Sequence, residues 1–273
     1  MIRIQNLTFT PGADSRAALL CAAAKALRLA PDKITELRIH RRSVDARKKQ
    51  DVRVIYTVDV TVDGKEEKIL QMARNPKAAI AVTTIYEPPR AAQTDERPVV
   101  IGFGPGGMFA ALALALAGLR PIVLERGQDA AARHEAVRRF WETGTLDPAS
   151  NVQFGEGGAG TFSDGKLNTG VNDPRIQWIL EQFAAAGADE SILYDAKPHI
   201  GTDALLTVVQ NLRRRILALG GEVRFSAQAT GFLREDGALS GLEVCERGRP
   251  LPKIRRMSRP RHLTPKIRRT SRP

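Results

Sequence analysis

The sequence has little cysteine, few aromatic side chains and no long apolar run, and each shortage excludes a class of protein. Its two cysteines, Cys21 and Cys245, lie far apart in 273 residues and match neither metal-ligand nor redox spacing. A disulfide framework, a cysteine zinc site and a vicinal dithiol are thereby excluded, and a reducing compartment, the cytoplasm, is expected. Aromatics make up 5% of the chain, so a core must be built mainly from Ala, Leu, Val and Ile within the 42% hydrophobic fraction. The longest apolar run, Met108 to Leu119, is 12 residues, short of the roughly 20 needed to span a bilayer. No membrane partner is expected. The opening Met1-Ile2-Arg3-Ile4-Gln5 carries no apolar stretch of the kind that directs export. The length suits one large or two ordinary domains.

Positive charge is abundant but unevenly placed. The net charge is +12; residues 1–97 contribute +6, residues 98–248 contribute −4, and residues 249–273 hold 10 basic groups and no acid. Nucleic-acid affinity needs a basic footprint on a folded face, so a nucleic-acid partner is expected only through the tail. That tail contains the one internal repeat, Pro252-Lys-Ile-Arg-Arg-Met-Ser-Arg-Pro260 and Pro265-Lys-Ile-Arg-Arg-Thr-Ser-Arg-Pro273. Proline and like charge at this density predict a basic disordered segment over 249–273.

Residues 1–86 read as a small α+β domain. Alternation predicts strands over 2–9, 37–43 and 52–62, the last with Val52, Val54, Tyr56, Val58, Val60 and Val62 on one side. A helix is predicted over 15–29, with Ala17, Leu20, Ala24 and Leu27 facing inward. Between the strands, residues 41–49 form a charged loop that a nucleic-acid-binding protein could use. Residues 87–97 read as a linker.

From Pro98 to Gly248 the pattern changes to strand–helix–strand. Strands are expected at 99–101, 122–125, 222–225 and 239–245, the last after an Asp236-Gly237 turn. Helices are expected at 105–118 and 130–141, after Asp173-Pro174, and after Thr202-Asp203, where Leu205, Val208, Val209, Leu212 and Ile216 share a face. Within this region Gly102-Phe103-Gly104-Pro105-Gly106-Gly107 matches G-x-G-x-x-G. It follows a strand, opens a helix, and is followed 18 residues later by Glu125 at the end of the next strand. The first glycine permits the turn, the second lets backbone approach a pyrophosphate, and the third lets helix lie on strand. The helix N-terminus directs amides and a positive dipole at the phosphates. Glu125 can accept from both ribose hydroxyls, which suits NAD or FAD; Arg126 beside it leaves NADP open. A second glycine-rich stretch, Asn151 to Lys166, has glycines at 155, 157, 158, 160 and 165. A nicotinamide site alone has no use for it, whereas a flavin needs backbone close to its ring and phosphates.

These segments resemble a family. Val100-Ile-Gly-Phe-Gly-Pro-Gly-Gly107, Val123-Leu-Glu-Arg-Gly127 and Phe154-Gly-Glu-Gly-Gly-Ala-Gly-Thr-Phe-Ser-Asp-Gly-Lys-Leu167 are similar to the uncharacterised bacterial FAD-dependent dehydrogenases, distant relatives of the two-dinucleotide-binding flavoproteins of the glutathione reductase type. Arg41-Arg-Ser-Val-Asp-Ala-Arg47 also resembles that family's N-terminal domain. The resemblance spans about residues 1–248. It implies an α/β fold with a Rossmann-like FAD-binding domain after the small α+β domain. It also implies FAD as cofactor, with NAD(P)H as a conceivable electron donor, and adenine contacts from the strand near Ala229. Family members are about twice as long and return to the FAD domain late in the chain, so the domain here is expected to be incomplete.

The candidate cofactor residues are therefore Gly102, Gly104, Pro105, Gly106, Gly107, Glu125, Arg126, Gly157, Gly158, Gly160, Thr161 and Ala229. Ser163, Asp164 and Lys166 are the polar groups on the presumed flavin side. Lys166 could stabilise negative charge on reduced flavin, or simply pair with Asp164. His199 is a further proton-donor candidate. No catalytic Ser/His/Asp set, metal cluster or phosphoryl-transfer loop competes. The expected function is FAD-dependent oxidation or reduction of a small molecule that the residues do not identify. The alternatives are a nicotinamide-dependent oxidoreductase without flavin and an RNA-binding protein using loop 41–49 and the tail.

Overall fold

Alternation with a period of two dominates the first eighty residues, and the computed structural model, which describes residues 1–91, 97–251, 254–255 and 266–270, folds them around a single antiparallel sheet. Strands β1 (Ile2–Phe9), β2 (Ile34–Asp45), β3 (Arg53–Val62) and β4 (Ala78–Ile80) pair in the order β2-β3-β1-β4, with helices α1 (Arg16–Leu27) and α2 (Glu66–Ala73) in the two crossovers. This is the split βαβ arrangement, β-α-β-β-α-β. Ile2, Ile4, Val58 and Val60 are fully buried under α1 and α2. Ser15 caps α1 by accepting from the Ala18 amide, as a short hydroxyl before a helix does.

Three expectations change in this domain. Helix α1 buries Leu19, Ala23, Ala24 and Leu27, while Ala17 is exposed. Residues 17–24 are apolar all round, so periodicity there does not select a face. The charged segment 41–49 is not a loop throughout, because β2 runs to Asp45 and pairs Arg42 with Tyr56 and Val44 with Val54. Long cross-strand pairing outweighs local charge here, and Arg42 and Arg47 find carboxylates on Asp195 and Asp45, each at 2.6 Å. Helix α2 and strand β4 were not foreseen in sequence, since eight- and three-residue elements carry too little periodicity to register.

Strand β5 (Thr83–Glu87) leads away from this sheet, and Tyr86 meets Trp178 edge-to-face at 5.7 Å. Residues 92–96 of the expected linker lie outside the described residues. The region after residue 97 is built on a parallel sheet of β6 (Val99–Ile101), β7 (Ile122–Leu124) and β8 (Glu222–Arg224), in that order, with α3 (Pro105–Leu116) crossing from β6 to β7. A long excursion from β7 to β8 contains α4 (Ala130–Thr143), α5 (Arg175–Ala185) and α6 (Thr202–Ala218). Strand β7 is buried on both faces. Val123 packs into the helical layer with Leu112, Phe183 and Leu212, while Ile122 and Leu124 pack against Ala227, Leu242 and Val244. Those last residues belong to the hairpin β9 (Ala227–Glu235) and β10 (Ala238–Glu246), whose Asp236-Gly237 turn has positive φ at both positions, as tight hairpins require. The layers are thus helices, parallel sheet, hairpin. The stripe expected on α6 is buried in full, with Val208, Leu212 and Ile216 at zero exposure.

Parts of the tail expected to be irregular are paired. Short strands β11 (Arg249–Pro250) and β12 (Ile254–Arg255) run along β10, and β13 (Lys266–Thr270) runs antiparallel to β5. Main-chain bonding to an open strand edge needs no side-chain core, and composition alone does not register it. Residues 252–253, 256–265 and 271–273 lie outside the described residues.

Truncating Leu212, fully buried at the centre of the helical layer, tests this packing. Leu212→Ala should lower unfolding free energy by about 3 kcal/mol in urea titration, whereas the same change at exposed Leu217 should leave the midpoint nearly unchanged.

Candidate functional site

The site forms where β6 ends and α3 begins. The Gly102 amide donates to the Leu124 carbonyl at 2.8 Å, tying the turn to β7, and Gly102 itself sits at φ +89°. A Cβ on Gly107 would fall deep inside the van der Waals radius of the Gly102 carbonyl oxygen, so the helix can start this close to the strand only with glycine there. Pro105 occupies the first turn of α3 with Gly104 as its cap, and the first intrahelical bond runs from the Met108 amide to the Gly104 carbonyl. The amides of Gly106 and Gly107 therefore have no partner within the helix and point from its positive end.

The second glycine-rich stretch folds over this tip. The Gly157 amide donates to the Phe103 carbonyl at 2.9 Å. A Cβ on Gly158 would lie 3.1 Å from the Gly104 Cα and 3.2 Å from the Pro105 ring. Gly158 and Gly104 meet backbone to backbone and line one cavity, while their chain neighbours Pro105 and Gly157 line a second. The first, of about 330 Å³, is lined by Gly102, Gly104, Glu125, Arg126, Phe154, Gly158 and Ala229 among others. The second, of about 370 Å³, is lined by Pro105, Gly106, Gly157, Gly160, Thr161, Ser163 and Lys166, with Met108, Phe109, Leu167, Ile179, Phe183, Leu205 and Val209 as its apolar wall. Of the residues expected at the cofactor only Gly107 lines neither cavity, and its contribution is to let the helix approach. Ala229 lies in the first cavity, with Gln228 beside it.

Glu125 differs from expectation. It is only 4% exposed, and its carboxylate accepts from three backbone amides, Phe103 at 2.7 Å on Oε2 and Gly127 at 2.8 Å and Gly155 at 3.0 Å on Oε1. Each carboxylate oxygen has two acceptor positions, so Oε1 is filled and Oε2 keeps one. Glu125 can accept one ribose hydroxyl, not two. Arg126 stacks its guanidinium 3.6 Å over the Phe154 ring and donates to the Pro148 carbonyl at 3.0 Å.

What holds the glycine-rich stretch in place was missed in sequence. Arg133 on α4 is fully buried, and its guanidinium donates to the carbonyls of Asn151 at 2.8 Å, Val152 at 2.8 Å and Glu156 at 2.6 Å. Burial pushes its pKa down to about 10, against the pull of Glu125 and Glu156. Glu156, also fully buried, accepts from the Ala130 amide at 2.7 Å and from Arg213 at 2.9 Å on one oxygen, while its other oxygen has no protein partner. Burial raises its pKa above the usual carboxylate value, opposed by the Ala130 amide and Arg213. A charged residue inside a run of glycines, Gly155-Glu156-Gly157, was the available signal, because glycine offers no side-chain screen for a charge and the charge must find a partner.

The remaining candidates separate. Lys166 and Asp164 form an exposed ion pair at 2.5 Å, which raises the Lys166 pKa and lowers that of Asp164. The Lys166 ammonium is thus already partnered. His199 lies beside Lys166 through a backbone bridge but does not line either cavity. Among the described residues no group of side chains could hold a metal ion, and no helix is long and apolar enough to cross a membrane.

Comparison with known proteins gives partial matches. A family described as a domain of unknown function, DUF8436, matches residues 1–61. A protein of Clostridium beijerinckii described as uncharacterized is 44% identical over 247 residues, 89% of this chain and 46% of that protein. The chain thus spans about half the length of the curated relative it matches. Among solved structures, THI4 of Thermovibrio ammonificans aligns at TM-score 0.35 and 17% identity, covering 59% of this chain and 54% of that one. A geranylgeranyl bacteriochlorophyll reductase-like protein of Thermoplasma acidophilum aligns at 0.35 and 16%, over 59% and 37%. A 3-ketosteroid-delta4-(5alpha)-dehydrogenase of Rhodococcus jostii RHA1 aligns at 0.34 and 17%, over 62% and 47%. Scores this low are similarities of outline.

Two outcomes follow from the geometry. Gly107→Ala should cost about 2 kcal/mol through overpacking against the Gly102 carbonyl, read as a lowered urea midpoint. Because its folded pKa is raised, Glu156 contributes stability below pH 4.5 that is lost as pH rises through the folded value. Relative to Glu156→Gln, the wild-type protein should therefore lose stability as pH rises above 4.5; parallel pH curves for the two would show an ordinary carboxylate.

Proposed function

We propose that the paired cavities hold FAD and that the chain carries the dinucleotide-binding part of a flavin-dependent oxidoreductase. The observation that supports this most is the Gly104–Gly158 seam at the α3 tip, where Gly104 and Gly158 line one cavity and Pro105, Gly106 and Gly157 a second. A dinucleotide has two ring systems joined by a pyrophosphate, and this arrangement offers two ring-sized spaces joined at a helix N-terminus. The residues fit the group. Gly104 and Gly158 leave no side chain at the seam, and the unpartnered α3 amides suit linked phosphates. The open acceptor position on Glu125 suits a ribose hydroxyl, and its negative charge disfavours a 2′-phosphate. Phe109, Leu167, Ile179 and Phe183 give the second cavity an apolar wall against which a flat ring would be shielded from water.

FAD would supply hydride and electron transfer, and the protein supplies binding, orientation and exclusion of water. The substrate and the electron acceptor are left open, as is NAD(P)H as donor. The Lys166–Asp164 pair orients the polar rim of the second cavity rather than presenting a free cation.

Reconstitution decides between this reading and a nicotinamide site without flavin. The purified protein incubated with FAD should retain a yellow chromophore after desalting, and Gly158→Val, which fills the seam, should weaken FAD binding at least tenfold. A protein that stays colourless and gains thermal stability with NAD(H) alone would overturn it.

A further inference from the structure

The backbone segment 194–200 touches both domains. At one end Arg42 of β2 grips it. Nε and Nη2 donate to the two carboxylate oxygens of Asp195 at 2.6 and 2.7 Å, and the guanidinium lies 5.3 Å from the Tyr194 ring centroid. The Arg42 amide donates to the Tyr194 carbonyl at 2.7 Å, and the Arg42 carbonyl accepts from the Ala196 amide at 2.8 Å. At the other end the segment pairs with the glycine-rich stretch. The Leu167 amide donates to the Pro198 carbonyl and the Ile200 amide to the Gly165 carbonyl, both at 2.9 Å. A Cβ on Gly165 would collide with the Ile200 carbonyl oxygen, so the two backbones are in direct contact. Buried Ile192 and Ile200 anchor the segment to the helical core on either side.

Gly165, Lys166 and Leu167 line the second cavity. We propose that Arg42 is a positioning residue for that cavity: by fixing Asp195 it holds segment 194–200 in register with residues 165–167, so that the docked N-terminal domain sets the shape of the ring-binding space. The bidentate pair is partly shielded, with 37% and 23% side-chain exposure, and a planar fork on a carboxylate fixes direction as well as distance. The bond rings on both sides of it leave the segment no freedom to slide while Arg42 is engaged. This rests on the FAD reading for its consequence, but the coupling itself needs no bound ligand.

Amide hydrogen exchange on the full-length protein tests the coupling without any ligand. In Arg42→Ala, the Leu167 and Ile200 amides should exchange at least tenfold faster, while core amides of β7 and α6 stay as in the wild type. Asp195→Asn should reproduce the effect, Arg42→Lys should restore it in part because the charge returns without the fork, and the double variant Arg42→Ala/Asp195→Ala should add nothing to either single change. If FAD binds, Arg42→Ala should also shift the flavin visible absorption envelope and weaken binding about tenfold. Unchanged Leu167 and Ile200 protection in both single variants, or a uniform loss of protection across the core, would overturn the proposal. Failure of the wild-type protein to bind FAD would overturn the proposed function and leave the exchange result to decide the coupling.

Discussion

Three backbone amides from three different segments converge on one carboxylate, and the rest of the site depends on that convergence. Glu125 ends β7 and receives the amide of Phe103 from the first glycine turn, of Gly127 from its own strand exit, and of Gly155 from the second glycine-rich stretch. Glycine-rich chain has no side chains with which to hold itself, and it carries the largest conformational entropy of any residue type. A buried acceptor that three such amides can share is an economical way to order it. The geometry also answers why the acid must be an acid: three donors on two oxygens need a carboxylate, and charged acceptors bind amides about twice as strongly as neutral ones.

Two arginines, Arg133 and Arg213, hold the glycine-rich stretch from the other side. Arg133 stands behind the glycine-rich stretch and satisfies three of its carbonyls, while Arg213 reaches Glu156 from α6. Helices α4 and α6 are thereby connected through the loop as well as by direct contact. The loop is held like an element of the core although it has almost no regular structure. Its only helical turn is Gly158–Phe162. Buried guanidinium and carboxylate groups are costly unless every polar atom is matched, and the one unmatched carboxylate oxygen, Glu156 Oε1, coincides with the raised pKa of that group.

What could be read from the sequence follows from how local each cause is. The glycine turn, Glu125 at the end of the next strand, the Asp236-Gly237 hairpin and the α6 stripe are set by residues within a few positions of one another, and all stand where the spacing placed them. The inward face of α1 was misjudged because alanine and leucine surround that helix. The 41–45 segment was misjudged because Arg42 finds its carboxylate 153 positions away, on Asp195. The partners of Glu125 and the position of Arg133 were invisible for the same reason. A local reading ranks Glu125 as a ligand group and has no way to count the amides that fold onto it.

The same distinction explains how the site handles charge. Residues 98–248 are slightly acidic overall, which is an unusual setting for a pyrophosphate if cations were to bind it. Two cations stand at the cavity walls, Arg126 and Lys166. Arg126 is stacked on Phe154 and bonded to Pro148, and Lys166 is paired with Asp164. The α3 N-terminus adds positive potential of its own, where aligned peptide dipoles act over the first turn and Pro105 removes one amide without loss because that position has no intrahelical acceptor. Backbone dipoles are fixed by the fold and need no reorganisation. A mildly acidic domain can therefore offer phosphates a favourable position, provided that the glycines let them come within hydrogen-bond reach of the amides. The steric demand at Gly107 and the electrostatic demand at the helix tip are two aspects of the same requirement.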